Sequence, residues 1–213
     1  MDLSDRKLAK QGVARNELTC TLEQHGHRSD IRAVAINKAD DTVASVGKKR
    51  LKIWNIRSQK CIISAEINYG LCVAFIPGDT HVIVGNKKGT LSLFSLSSGD
   101  CVQEIVDAHD GSIWSIDVKP DGMGFCSGGA DHQVKFWKFG VTKDTKEPRF
   151  KASRTLQLAD DVLSVKYSHT QDSQKLLLCA ALLDSTVKVF FDDSLKFFLS
   201  LYGHRLPVLC LDV

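Results

Sequence analysis

The chain has 213 residues, of which 43% are apolar and 25% are charged, so it can bury the core of one large domain or of two small ones. No apolar run approaches eighteen residues, and the polar, charged residues 1–18 lack the apolar stretch of a secretory signal, so we expect an intracellular protein that does not enter a membrane. The formal net charge of +3 is too small to indicate nucleic-acid binding by itself, which leaves clustered cations as the informative signal.

The seven cysteines are scattered along the chain without a C-x-x-C pair. An odd number of cysteines in a sequence without a secretion signal is typical of reduced, buried thiols. We therefore predict neither a disulfide framework nor a zinc site, and we expect no cofactor.

Residues 1–17 show no periodicity and are predicted to be a disordered lead-in, followed by a short strand at 18–22. From Ile31 onward, short apolar runs separated by turn residues recur in four copies, which is typical of four-stranded meander sheets. The predicted strands of the four copies are 31–36, 43–46, 51–56 and 61–67; 71–75, 81–84, 91–94 and 101–106; 113–118, 124–127, 134–137 and a strand from 155; and 162–167, 176–180, 187–190 and 195–201. Residues 140–154 are charged and contain Gly140 and Pro148, so they are predicted to form a solvated loop that delays the last strand of the third copy.

One aromatic residue marks the third strand of each copy, at Trp54, Phe94, Trp137 and Phe190. Their spacings of 40, 43 and 53 residues match the length of a four-stranded propeller blade, the last spacing being lengthened by the insertion. The sequence therefore predicts an all-β fold, an incomplete β-propeller over residues 18–213. Its blades are expected at about 25–67, 68–107, 108–158 and 159–202, with the first strand of a fifth blade within 203–213.

Three recurring elements resemble the WD40-repeat family. They are a Gly-His-type pair at Gly26-His27, Ala108-His109 and Gly203-His204, a turn aspartate at Asp131 and Asp184, and a tryptophan at Trp54 and Trp137. In the third copy the resemblance implies a structural tetrad, which consists of His109, Ser127, Asp131 and Trp137. Such a network satisfies both imidazole nitrogens and fixes the connection between two blades to a turn within one blade. A catalytic role for serine, histidine and aspartate is the alternative, but a repeated architectural element favours a structural role, so we expect no enzymatic activity and no small-molecule substrate.

Longer stretches are similar to one group within that family, the large two-propeller subunits of the UtpB subcomplex of the small-subunit processome. These stretches are 27–32, 107–114, 128–137, 155–165 and especially 193–210, which contains KFFLSLYGH. The resemblance implies a scaffold in the nucleolus, and thus the nucleus, that serves pre-ribosomal RNA processing and small ribosomal subunit biogenesis with other UtpB proteins, snoRNA and pre-rRNA as partners. It also implies that the chain is a fragment with the opening blades of a second propeller. We expect such a fragment to self-associate when isolated, because its strand edges are unpaired.

Two other functions stay open at this point. The tetrapeptide Trp54-Asn55-Ile56-Arg57 resembles the motif with which WD-repeat substrate receptors dock on cullin ubiquitin ligases, and an unspecialised propeller would serve general protein interactions. Residues 85–90 have the composition of a phosphate-binding loop, but a strand follows them where a helix is required. We therefore predict a turn there.

A group of cations forms the candidate binding surface. Lys48, Lys49 and Arg50 lie in a turn of the first copy, and Lys87 and Lys88 lie in the equivalent turn of the second. Equivalent turns of adjacent blades lie side by side on one face of a propeller, so we predict that the five cations converge in a patch for RNA phosphates or an acidic partner segment. A solvated, lysine-rich turn without a ligand is the alternative interpretation.

Overall fold

The computed structural model describes residues 26–142, 147–169 and 175–212. Over these ranges the chain forms sixteen strands in four antiparallel sheets of four strands each, and each sheet is built from strands consecutive in sequence. A four-stranded antiparallel sheet whose strands follow one another in sequence is the form of a propeller blade. The predicted all-β, partial-propeller fold is confirmed. The predicted lead-in at 1–17 and the strand at 18–22 lie outside the described residues.

The four blades follow one another along the chain. Blade one contains β1 (Ile31–Ile36), β2 (Thr42–Gly47), β3 (Arg50–Asn55) and β4 (Lys60–Glu66). Blade two contains β5 (Gly70–Phe75), β6 (His81–Asn86), β7 (Leu91–Ser95) and β8 (Cys101–Ile105). Blade three contains β9 (Ile113–Val118), β10 (Gly124–Gly129), β11 (Gln133–Val141) and β12 (Pro148–Gln157). Blade four contains β13 (Val162–Tyr167), β14 (Leu177–Leu182), β15 (Val187–Phe191) and β16 (Phe197–Leu201).

Alternating apolar residues and turn chemistry explain why the strands lie where they do. Outer strand β4 alternates between exposed and half-buried positions, as expected of a strand with one solvated face. The turn between β5 and β6 uses Gly78 and Asp79, whose φ angles of 89° and 53° fall in the left-handed region that glycine and aspartate tolerate. Because these signals are local, the predicted bounds of every strand except β11 and β12 lie within two residues of the observed ones.

The insertion in blade three is not the solvated loop that its charged residues predict. Strand β11 continues to Val141 and β12 begins at Pro148, so that the two strands pair from Gln133 with Gln157 to Val141 with Pro148. Phe150 is 3% exposed and packs edge-on against two aromatic rings, those of Phe125 at 5.1 Å and Trp137 at 5.7 Å between centroids. Charged residues were misleading because a hairpin is held by backbone hydrogen bonds, and one buried ring fixes it to the core.

Residues 203–212 do not form the regular first strand that was expected for a fifth blade. The segment nevertheless lies where that strand would lie. The backbone N–H of Leu211 donates to Ser164 Oγ of blade four at 3.2 Å. The equivalent bond between blades three and four runs from the N–H of Val165 to Ser115 Oγ at 3.1 Å. The segment therefore lies beside blade four in the position of the next inner strand.

The hydrophobic core lies between neighbouring blades. Separate clusters of buried side chains join blade one to blade two, blade two to blade three, and blade three to blade four. Each sheet thus buries its faces against the sheets on either side, as stacked blades must. None of the described residues belongs to a helix long and apolar enough to cross a membrane.

Candidate functional site

The four residues of the predicted tetrad in blade three lie in one hydrogen-bonded network. His109 Nδ1 lies 2.8 Å from Asp131 Oδ1, and His109 Nε2 lies 2.7 Å from Ser127 Oγ. The indole N–H of Trp137 donates to the same serine oxygen at 2.9 Å. His109 comes from the connection between blades two and three, whereas the other three residues belong to blade three itself. The network therefore ties the connection to the blade.

Only one proton arrangement satisfies every group in this network. Ser127 Oγ accepts from the indole, so its hydroxyl hydrogen is free to donate to His109 Nε2, and His109 Nδ1–H donates to the carboxylate of Asp131. The imidazole is then neutral. Burial lowers the pKa of His109 below its ordinary value of 6.5, against the opposing effect of the Asp131 carboxylate. In this arrangement both imidazole nitrogens have hydrogen-bond partners within the protein.

The imidazole and the hydroxyl group of this network are buried. His109 is 1% exposed and Ser127 is fully buried, so a substrate has no access to the hydroxyl oxygen. Asp131 is further engaged, because its carboxylate accepts from the backbone N–H groups of Asp110 and Gln133 at 3.2 Å each. The hydrogen bonds of the network thus stabilise the fold.

Blade one carries the same network without its carboxylate. His27 Nε2 lies 2.8 Å from Ser45 Oγ, which also accepts from the indole N–H of Trp54 at 2.8 Å. Sequence reasoning missed Ser45, although it precedes Trp54 by nearly the spacing that separates Ser127 from Trp137. The turn between β2 and β3 is one residue shorter than its counterpart in blade three and contains Lys48 and Lys49 where aspartate would lie. Burial, followed by the nearby Lys52 cation, lowers the pKa of His27.

Blade two lacks the network entirely, and a cavity of about 630 Å³ lies in its place. The connection 67–69 is four residues shorter than the connection 106–112 that carries His109, so no imidazole is supplied. Strand pairing aligns Val84 with Ser127 and Phe94 with Trp137. We name this space the interblade cavity. The residues that line it are Lys48, Lys49, Glu66, Ile67, Asn68, Tyr69, Val84, Asn86, Ser92, Phe94, Cys101 and Glu104.

Two of the five cations of the predicted patch, Lys48 and Lys49, line this cavity, and the other three lie in or next to the same two turns. Lys48 and Lys49, together with Arg50, also line a second cavity of about 720 Å³ beside His27. Lys87 approaches from blade two, with its Nζ 5.8 Å from the ring centroid of Tyr69. The side chain of Lys88 is exposed, while its backbone N–H donates to Asn86 Oδ1 at 2.8 Å. Tyr69 therefore stands between the two groups of cations.

Other residues singled out in the sequence have structural partners. In the tetrapeptide that resembles a ligase-docking motif, the indole of Trp54 is bound to Ser45, and Asn55 Oδ1 accepts from the backbone N–H and the hydroxyl of Ser58. Of residues 85–90, the first two end β6 and residues 87–90 form the turn to β7, which the N–H of Asn86 closes by donating to the carbonyl oxygen of Thr90.

One cation of the insertion, Arg154, is half-buried and paired. Arg154 donates to the carboxylate of Asp192 at 2.7 Å, and its guanidinium carbon lies 4.6 Å from the ring centroid of Phe136. Lys119 Nζ reaches the other oxygen of Asp192 at 3.0 Å. Arg154 and Lys119 thus join blade three to blade four. No local sequence signal predicts this contact, because the partners are more than thirty residues apart.

Comparison with known proteins settles the family. A family model described as the WDR3 second beta-propeller domain matches residues 30–213. The chain belongs to the WDR3 second beta-propeller family. Curated relatives support this: the WD repeat-containing protein 3 homolog of Dictyostelium discoideum is 44% identical over 96% of the chain, and human WD repeat-containing protein 3 is 48% identical over 86%.

A further member comes from yeast. The U3 small nucleolar RNA-associated protein 12 of Saccharomyces cerevisiae is 45% identical over 91% of the chain. This WDR3-type chain spans about a fifth of these relatives, namely 22%, 19% and 21% of their lengths in the order given. A solved structure titled "Structure of U3-55K" shares the fold, with a TM-score of 0.69 over 86% of the chain and 55% of its own, at 17% identity.

Proposed function

We propose that the chain is part of a non-enzymatic nucleolar scaffold for pre-ribosomal RNA processing and small ribosomal subunit biogenesis. The observation that carries this proposal is the 45% identity, over 91% of the chain, to a yeast protein named for its association with U3 small nucleolar RNA. The buried, fully paired network of His109, Ser127 and Asp131 supports a role without chemistry. Other UtpB proteins of the small-subunit processome, snoRNA and pre-rRNA are the proposed partners.

Gradient sedimentation of the tagged protein from cells tests this function. We expect the protein to sediment with large pre-ribosomal particles in the nucleolar fraction, and to move to light fractions after RNase treatment because RNA holds such particles together. A matched lysate kept under RNase inhibitor is the control. Light sedimentation in both lysates would contradict the proposal. Co-purification with a cullin adaptor, abolished by Arg57→Ala, would instead favour a substrate receptor.

Within this function, we infer that Lys48, Lys49, Arg50, Lys87 and Lys88 contact RNA phosphates. The argument is electrostatic: the cations of two adjacent turns are exposed, Lys48 and Lys49 line the cavity, and Lys87 lies near its residue Tyr69. Each phosphate contact releases a counterion from the RNA. The aromatic ring of Tyr69 between these turns is a further feature of surfaces that bind single-stranded nucleic acid.

Charge reversal at four of these positions should flatten the salt dependence of RNA binding. We expect the negative slope of log K against log salt concentration to become shallower, its magnitude falling by about 0.7 to 0.9 for each phosphate interaction removed, when Lys48, Lys49, Lys87 and Lys88 are replaced by glutamate. A matched control reverses four exposed lysines near the opposite ends of the strands, namely Lys60, Lys138, Lys151 and Lys196. Equal slopes for both quadruple variants would assign the patch to solvated surface.

A further inference from the structure

Asn86 presents a hydrogen-bond donor without a protein partner to the interblade cavity. The residue is 4% exposed, and its Oδ1 accepts from the backbone N–H groups of Lys88 at 2.8 Å and Thr90 at 3.0 Å. These two donors fix the orientation of the amide group, so its NH₂ points away from them. Among the described residues, no acceptor binds that NH₂, although Asn86 lines the cavity. Because Trp114 Nε1 is the one fully buried side-chain donor without a partner in the described part of the chain, the NH₂ of Asn86 is not sealed away from solvent and is open to an acceptor of a ligand in the cavity.

Tyr69 provides a fixed aromatic wall in the same cavity. Its hydroxyl donates to Asp30 Oδ2 at 2.5 Å, and its carbonyl oxygen accepts from the backbone N–H of Lys87 at 2.9 Å. The Lys87 ammonium group lies 5.8 Å from the ring centroid. A ring held at both ends beside a cation is suited to stack on a nucleobase, since every base offers a π-face.

The other residues that line the cavity include apolar and charged side chains. Val84 and Phe94, which are 2% and 6% exposed, form an apolar base for the cavity. Lys48 and Lys49 line the cavity, where a phosphate would be neutralised, and two carboxylates line it as well. The carboxylates, from Glu66 and Glu104, would repel an acidic peptide but can accept from the amino group of a base. A flat ring with a polar edge and an attached phosphate therefore fits better than an acidic side chain.

We propose that the interblade cavity binds one unpaired nucleotide of single-stranded RNA. The base lies against Tyr69, an acceptor on its edge receives the NH₂ of Asn86, and its phosphate lies on Lys48 and Lys49. The cavity volume of about 630 Å³ is within the range of small-ligand sites. This proposal rests on the proposed RNA contact and deepens it, because it assigns a ligand to the cavity at the short connection 67–69 of blade two.

The isosteric change Asn86→Asp tests the proposal. It keeps the Oδ1 acceptor for Lys88 and Thr90 but replaces the donor NH₂ with a carboxylate oxygen. We expect binding of a short fluorescent single-stranded RNA, followed by anisotropy, to weaken about 5- to 100-fold. The matched control is Asn55→Asp, which introduces the same charge at the opposite end of β3, where Oδ1 also acts only as an acceptor, and it should leave binding unchanged.

A second pair of variants removes or keeps the aromatic wall. Tyr69→Ala should weaken binding of the single-stranded RNA to a similar extent, whereas Tyr69→Phe keeps the ring and should retain most of the affinity. The same RNA annealed to its complement should bind more weakly than the single strand, because its bases cannot enter the cavity. Circular-dichroism melting checks that each variant is folded. If Asn86→Asp is unfolded, the comparison of Tyr69→Ala with Tyr69→Phe tests the proposal in its place.

The outcomes separate this proposal from the scaffold function. Equal effects of Asn86→Asp and Asn55→Asp, equal binding of Tyr69→Ala and wild type, or equal binding of single-stranded and annealed RNA would each overturn the nucleotide site. Wild-type sedimentation with pre-ribosomal particles, in the presence of any of these results, would leave the scaffold function standing. Absence of wild-type sedimentation with the particles would contradict the scaffold function, while the binding assay would still decide about the cavity.

Discussion

Replacing Phe150 with alanine should lower the free energy of unfolding by about 3–5 kcal/mol, the loss typical of a buried phenylalanine. The ring is 3% exposed and contacts both Phe125 and Trp137, so its removal leaves a void between β12 and the core that blades two and three share. For a chain of this length we expect the melting temperature to fall by about 6–20 °C. Denaturant unfolding, with the slope m unchanged, gives the free energy directly.

The control for Phe150→Ala is the same truncation at an exposed ring. Phe198 in β16 is 49% exposed and packs against Phe191 at 4.9 Å between centroids, so Phe198→Ala removes an aromatic contact without opening a buried void. Its cost should be below about 1.5 kcal/mol. Similar losses for both variants would mean that the hairpin of β11 and β12 does not contribute to the core, and would restore the solvated-loop interpretation of residues 140–154.

Replacing Asp131 with alanine should cost about 1–3 kcal/mol, because it leaves three donors without an acceptor. These donors are the Nδ1–H of His109 and the backbone N–H groups of Asp110 and Gln133. All three lie around the connection between blades two and three. We therefore expect a lower melting temperature and faster hydrogen exchange at Asp110, measured by mass spectrometry.

Asp184 in blade four is the matched control for Asp131. It occupies the equivalent turn, but its carboxylate binds only Thr186, through the backbone N–H at 2.9 Å and the hydroxyl at 2.6 Å. Because no histidine reaches it among the described residues, Asp184→Ala should cost clearly less than Asp131→Ala. An unchanged melting temperature for Asp131→Ala would contradict the structural role of the tetrad.

The blades differ in how much of this network they keep, and the differences coincide with the candidate binding surface. Blade three has the complete network, blade one lacks the carboxylate, and blade two lacks the histidine as well. Where the carboxylate is absent the turns carry lysine, so the charge at this position is positive in blades one and two and negative in blades three and four. In blade two the missing network thus coincides with a cavity and a lysine-rich turn, whereas blade four, with Ala180 and Phe190 at the serine and tryptophan positions, keeps Asp184 in its turn.

The periodic strands were predictable because their signals are local. Strands β9 and β13 have the bounds that apolar alternation predicts, and the turn glycines and aspartates between strands supply conformations that few residues adopt. The hairpin of β11 and β12 was not predictable in this way, since its charged residues satisfy a loop equally well. What decides between the two is the contact of Phe150 with Trp137, and a contact between distant residues leaves no trace in local composition.

The candidate site, too, was predictable from the sequence only in part. Residue type at a fixed spacing was enough to predict the blade period and two lysine-rich turns, and the resemblance to the WD40-repeat family supplied the residues of the tetrad. The packed blades were needed to show that Tyr69 stands between those turns, that Asn86 has an unpaired amide donor, and that a cavity replaces the missing network. These features arise where one blade packs against another, and the side chains that meet there are set by packing and by loop length.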